Sequence, residues 1–134
     1  MRIGQARKAF VLRCRSEGRS AASVVFYRHQ IRYYWRWLYD RRKADKWLEV
    51  DTLRAYFAWL QARVKATEIE PETADGAYRA LRALCRWLHV QEEIPHDPIR
   101  KIAAPKVPAK MPRRIEIDEY RQLVQAIPRA DWID

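Results

Sequence analysis

Apolar residues recur at intervals of three and four over most of the chain, the spacing that places side chains on one face of an α-helix. The clearest case is the run Val24, Tyr27, Ile31, Tyr34 and Leu38. The pattern predicts four helices, over residues 3–17, 20–43, 51–65 and 71–91, and a short fifth helix over residues 118–127. Since no stretch alternates as a half-buried strand does, we predict an all-α fold.

The predicted helix boundaries carry residues that are common at helix ends. Gly18 favours a stop after the first helix, because glycine readily adopts positive φ. Ser20 and Asp51 are side chains that can cap the second and third helices. Pro71 suits the first position of the fourth helix.

The composition changes after the fourth helix. Five of the seven prolines lie between Pro95 and Pro112. Residues 98–115 contain six Lys or Arg residues and no acid. We therefore predict an extended basic linker over residues 98–116, which separates a helical domain (residues 1–97) from the beginning of a second unit (residues 117–134).

The chain is strongly basic, with 27 Lys and Arg residues against 17 acids and a net charge of +10. This charge favours a polyanionic partner over a domain that is merely basic. We expect no membrane association, since no apolar run is long enough to span a bilayer. Cys14 and Cys85 lie among apolar neighbours, which indicates buried free thiols and a cytoplasmic protein.

The position of the charge is more informative than its total. On a helical wheel of the fourth helix, Arg79, Arg82 and Arg86 lie opposite the apolar stripe. On the second helix, His29, Tyr33 and Arg36 lie opposite the stripe, with Phe26 and Arg32 beside them. Exposed aromatic residues on such a face are unusual unless a partner covers them. The alternative is that both are ordinary solvated faces with salt bridges, and Glu70, Glu72 and Asp75 make the start of the fourth helix acidic.

Three segments resemble the N-terminal core-binding domain of tyrosine recombinases of the phage-integrase type. Residues 20–38 (SAASVVFYRHQIRYYWRWL) are similar to the family pattern SxxTxxxYxxxLxxFxxWL, and residues 73–88 (TADGAYRALRALCRWL) to TxxRxxxALRxxFxWL. Residues 94–102 (IPHDPIRKI) are similar to IxxNPxxxI. Ser23, Gly76, Cys85 and Asp97 depart from these patterns, where the family usually has Thr, Arg, Phe and Asn.

The resemblance implies a four-helix, SAM-like bundle of two crossed helical hairpins that clamps one face of double-stranded DNA. In this family, helices 2 and 4 approach the major groove. The family positions and the helical wheels together give the following candidate DNA-binding residues: Ser20, Ala22, Ser23, Phe26, His29, Arg32, Arg36, Thr73, Asp75, Arg79, Arg82 and Arg86, with linker contacts from Lys106, Lys110, Arg113 and Arg114.

The resemblance also implies what the chain lacks. The family cleaves DNA with a tyrosine nucleophile that belongs to a separate catalytic domain, so we expect a fragment that binds nucleoid DNA without catalysis. We expect no cofactor, and no metal site, since His29, His89 and His96 lack ligand spacing with the cysteines. The last predicted helix could contact neighbouring recombinase protomers. A helical protein-interaction module and an RNA-binding module remain alternatives.

Overall fold

The computed structural model describes residues 1–108, and this part of the chain is helical and contains no strand. Its four helices are α1 (Ile3–Ser16), α2 (Ala21–Asp40), α3 (Val50–Lys65) and α4 (Pro71–Val90), with a short 3₁₀ helix at Ala44–Lys46. The predictions of an all-α class and of four helices are confirmed. The predicted fifth helix and the linker residues Lys110, Arg113 and Arg114 lie outside the described residues.

Two helix ends differ from the sequence prediction. Helix α2 ends at Asp40 and not near residue 43, because Arg42 adopts a φ of 56° and the N–H of Lys43 turns back to the carbonyl of Leu38. Helix α3 begins at Val50, so Asp51 is not its cap and instead lies in the first turn, where its charge favours the helix dipole. The predicted cap Ser20 is confirmed: its Oγ accepts a 3.1 Å hydrogen bond from the N–H of Ser23.

All four α-helices within residues 1–108 end in the same left-handed turn. The residue two places after each helix has positive φ, and the N–H that follows it donates to a carbonyl of the last helical turn, as in a Schellman motif. Glycine occupies this position only once; the four residues are Gly18, Arg42, Thr67 and Glu92. Sequence inspection identified the first of these turns because only that one contains glycine.

The predicted apolar stripes form one core. Helix α4 contacts the other three α-helices, and its stripe residues Ala77, Leu81, Leu84 and Leu88 are buried. Full burial of a side chain of leucine size contributes about 1.5–3 kcal/mol. Aromatic rings fill the space between α2 and α3, where the Tyr34 and Tyr56 rings lie 4.7 Å apart. The Tyr34 hydroxyl donates a 2.6 Å hydrogen bond to the Trp47 carbonyl and so satisfies both buried groups.

The segment after α4 packs against the bundle. Ile94, Pro98 and Ile99 are buried, and the Tyr78 hydroxyl donates a 2.8 Å hydrogen bond to the Ile102 carbonyl. The prediction that the chain is extended and unpacked from Pro98 is therefore wrong for residues 98–102. Apolar side chains at Ile99 and Ile102 explain the difference, because the bundle offers them a surface to cover.

Candidate nucleic-acid interface

Helix α4 presents arginine to solvent along one side. Arg79, Arg82 and Arg86 are exposed, opposite the buried stripe, as the helical wheel predicted. Arg79 forms a 3.1 Å ion pair with Asp75, one turn earlier on the same helix. Arg82 and Arg86 take part in no ion pair with any residue of 1–108. Within the described residues, no carboxylate therefore competes with an anion for these two guanidinium groups.

These arginines border a shared concavity, which we call the arginine cavity. It has a volume of about 420 Å³ and no carboxylate of the described chain lines it. Its lining residues are Arg13, Arg19, Arg79, Arg82, Ala83, Arg86, Trp87 and Val90. Five arginines line one concave surface, and two carboxylates, Glu17 and Asp75, pair with three of them, so the arginines outnumber their carboxylate partners and the positive potential there attracts a polyanion.

Sequence reasoning missed Arg13 and Arg19. Arg13 belongs to α1, and Arg19 to the turn that follows it. They reach the arginine cavity because α1 packs beside α4, with the Phe10 and Trp87 rings 5.6 Å apart. A wheel of α1 alone gives no sign of this neighbour, so only the packing of the two helices identifies these residues.

The exposed face of α2 contains most of the residues that were predicted there. Ala22, His29, Arg32, Tyr33 and Arg36 are exposed, and Tyr33 retains 56% of its accessible surface. Ser20 is half-buried as the helix cap.

Two predicted contact residues of α2 are not on its exposed face. Ser23 is buried, with 5% of its surface exposed, because it lies on the core side of the helix, so the structure does not bring it to the exposed face and its DNA contact stays a prediction. Phe26 is half-buried, because its ring packs over Gly76 of α4, and the expectation of an exposed Phe26 is wrong.

The surfaces of α2 and α4 meet at Gly76. A Cβ placed on Gly76 would lie 3.5 Å from the Phe26 ring and 3.9 Å from a terminal nitrogen of Arg79. Phe26 and Arg79 are therefore neighbours, and the two surfaces are continuous at this point. A Cβ at Gly76 would therefore make an ordinary van der Waals contact with the Phe26 ring.

A second group of arginines extends the basic surface along α2. The Nε–H of Arg7 in α1 donates a 3.2 Å hydrogen bond to the carbonyl of Arg28. Burial, followed by the charges of Arg28 and Arg32, lowers the pKa of Arg7 below its usual value. Arginines close enough to perturb one another form a region of high positive potential, which an anionic partner would relieve.

The remaining predicted residues are dispersed. Thr73 is exposed but lines a different cavity, beside Tyr33, so the structure does not bring it to the arginine cavity. Asp75 is half-buried and serves as the ion-pair partner of Arg79. Lys106 is exposed beyond the packed segment.

None of the described helices is long and apolar enough to cross a membrane.

The two cysteines are free thiols in the core, as predicted. Burial raises the pKa of both thiols above the ordinary value, so both are held in the neutral form. They are structural side chains of the bundle and not part of the basic surface.

Comparison with known proteins gives one distant similarity. The chain is 32% identical over 83 residues to the tyrosine recombinase XerD of Caulobacter vibrioides. The aligned residues cover 62% of this chain and 26% of that protein, so the match spans about a quarter of the length of that relative. No protein-family model and no solved structure matches the chain. The similarity relates the chain to tyrosine recombinases, at the level of a distant sequence relationship.

Proposed function

We propose that the chain binds double-stranded DNA as the core-binding part of a site-specific tyrosine recombinase, in the cytoplasm and on nucleoid DNA. The observation that carries this proposal is the arginine cavity, with Arg82 and Arg86 exposed and unpaired within the described chain. The distant similarity to a tyrosine recombinase supports the same class of partner.

The chemistry of the surface suits a duplex. The planar guanidinium group donates two parallel hydrogen bonds, which fit a phosphate group or the major-groove edge of guanine. Contacts of α1 with α2 and of α3 with α4 agree with two helical hairpins, and we propose that these cross in a SAM-like arrangement. The exposed faces of α2 and α4 then approach the major groove, while Lys106 and the basic residues after it follow the backbone.

We further propose that the chain binds DNA without cleaving it. The hydroxyls of Tyr34 and Tyr78 are engaged by backbone carbonyls, and burial raises the pKa of Tyr34 and Tyr56 above the ordinary value. A nucleophile needs the opposite environment, in which ionisation is favoured and the substrate has access. These side chains are better explained as parts of the core.

Charge reversal tests the proposal. Arg82→Glu combined with Arg86→Glu should weaken duplex binding at least tenfold and reduce the slope of log affinity against log salt by about 2, since each lost phosphate contact removes about one unit. Fluorescence anisotropy with a labelled duplex at several salt concentrations measures both quantities. The matched control is Lys46→Glu with Lys65→Glu, which changes the net charge equally at exposed positions outside the arginine cavity.

The result against the proposal is equally clear. If both double variants retain the helical circular dichroism and lose affinity to the same extent, α4 is not the docking face. If the unaltered chain binds structured RNA better than duplex DNA at equal salt, the partner is RNA.

One observation favours a second candidate function, protein binding. A cavity of about 430 Å³ between α2, α3 and α4 is lined by the aromatic residues Tyr33, Trp37, Tyr56 and Trp59. Such a surface could bind an apolar segment of another protein. This function predicts a complex whose affinity hardly changes with salt, in contrast to the steep dependence expected for DNA.

A further inference from the structure

We infer that Arg13 and Arg19 form a phosphate-binding pair in the arginine cavity, and that Glu17 occupies this pair until a DNA phosphate displaces it. The inference rests on the proposed function, because it assigns the ligand of one part of the same surface. It adds a regulatory element, since a carboxylate of the protein competes with a DNA phosphate for the two arginines.

The contacts of Glu17 carry the argument. Its Oε1 lies 3.0 Å from Nε of Arg13, and its Oε2 lies 3.6 Å from Nε of Arg19. One carboxylate therefore offers its two oxygens to two different arginines. A phosphodiester carries its charge on two non-bridging oxygens and can be shared between two arginines in the same way.

The Arg13 side chain and the Arg19 backbone are positioned before any ligand arrives. The guanidinium of Arg13 lies 5.7 Å from the centre of the Phe10 ring and 5.8 Å from that of Trp87. Arg19 directly follows the left-handed Gly18, and its N–H donates a 3.0 Å hydrogen bond to the Cys14 carbonyl. A ligand that binds a side chain already held in place, as that of Arg13 is, costs less conformational entropy than one that must order it.

Glu17 is held weakly enough to leave. Its side chain is 44% exposed, and the two arginine side chains are 30% and 37% exposed. Ion pairs with this degree of exposure add little stability, because water screens them. A duplex also provides a row of phosphates, and binding them releases condensed counterions, which a single carboxylate cannot do.

Removal of the Glu17 charge tests the inference. Glu17→Gln should raise the affinity for duplex DNA on the order of fivefold at low salt, the size expected for removing one charge several ångströms from a phosphate. The matched control is Glu68→Gln. Glu68 also pairs with an arginine, Arg63, at 3.2 Å, and the pair lies outside the arginine cavity. The same change in net charge there should alter affinity less than about twofold.

A second comparison shows whether the effect passes through the two arginines. In a chain with Arg13→Gln and Arg19→Gln, the further change Glu17→Gln should have no more effect than Glu68→Gln, because no arginine pair remains to be released. The double arginine variant alone should lower the salt slope by about one.

The outcomes separate this inference from the proposed function. If the Arg82 and Arg86 reversal weakens binding at least tenfold but Glu17→Gln and Glu68→Gln behave alike, DNA binding stands and the role of Glu17 is overturned. If Glu17→Gln tightens binding equally with and without Arg13 and Arg19, the charge acts from a distance and the phosphate pair is overturned. If the unaltered chain has no salt-dependent affinity for duplex DNA, the proposed function fails, and this inference fails with it.

Discussion

The left-handed helix ends provide a quantitative test of the structure, through two opposite substitutions at equivalent positions. Gly18 has a φ of 73° and Thr67 a φ of 58°, and each follows the C-cap of its helix. We consider Gly18→Ala and Thr67→Gly. A Cβ added at Gly18 would meet nothing within 4 Å, so the alanine variant reports on the backbone alone.

The expected magnitudes follow from the backbone conformation. The left-handed region costs an L-residue about 1–2 kcal/mol. Alanine at Gly18 also restricts the unfolded chain, and this offsets about 0.4–1 kcal/mol of that cost. We therefore expect Gly18→Ala to lower the free energy of unfolding by about 1 kcal/mol. At Thr67 a β-branched residue adopts this unfavourable conformation, and glycine would adopt it without strain. After the entropic cost of glycine is subtracted, Thr67→Gly should raise the free energy of unfolding by about 0.5–1 kcal/mol. The substitution also removes the exposed Thr67 hydroxyl and its 2.7 Å hydrogen bond to the Ala66 carbonyl, which contributes little to stability in water.

Thermal and urea unfolding, followed by circular dichroism, measure both changes. A difference of 1 kcal/mol should move Tm by about 4–8 °C in a domain of this size. Ala66→Gly is the matched control: Ala66 has a φ of −80°, so glycine there brings only its entropic cost and should destabilise the fold. A Thr67→Gly variant that is less stable than the unaltered chain, or a fully stable Gly18→Ala variant, would refute the left-handed turns.

Three further predictions concern buried groups. Tyr34→Phe should reduce the free energy of unfolding by about 1–3 kcal/mol in urea titrations, because the buried Trp47 carbonyl loses its donor; an unchanged midpoint would contradict this role. Tyr78→Phe should speed amide exchange in residues 99–102 more than in α2, since it removes the hydroxyl contact to Ile102. Equal protection of residues 99–102 in the variant and in the unaltered protein would show that the contact does not hold the segment. Cys85 should react with a thiol reagent at pH 8 only as fast as the protein opens, because burial raises the pKa of its thiol; rapid labelling of the folded chain would contradict its burial.

Much of the fold could be predicted from local pattern. The apolar stripes, the cap at Ser20 and the position of Pro71 all follow from the geometry of a single helix, and the structure places them as expected. The end of α2 could not be predicted in this way, because Arg42 adopts a conformation that sequence rules associate with glycine. The folding-back of residues 98–102 was missed because a proline-rich composition indicates an extended chain and gives no sign of the surface that Ile99 covers.

The candidate nucleic-acid interface also combines features that a single helix predicts with features that depend on helix packing. The sequence by itself determined that Arg79, Arg82 and Arg86 face away from the core, since the angular position of a side chain about its own helix depends only on its spacing. Only the tertiary structure decided which other side chains join them. The packing of α1 beside α4 brings Arg13 and Arg19 to the arginine cavity, and the approach of α2 to α4 buries part of Phe26 against Gly76. A helical wheel has no information about neighbours, and these contacts depend on how separate helices pack.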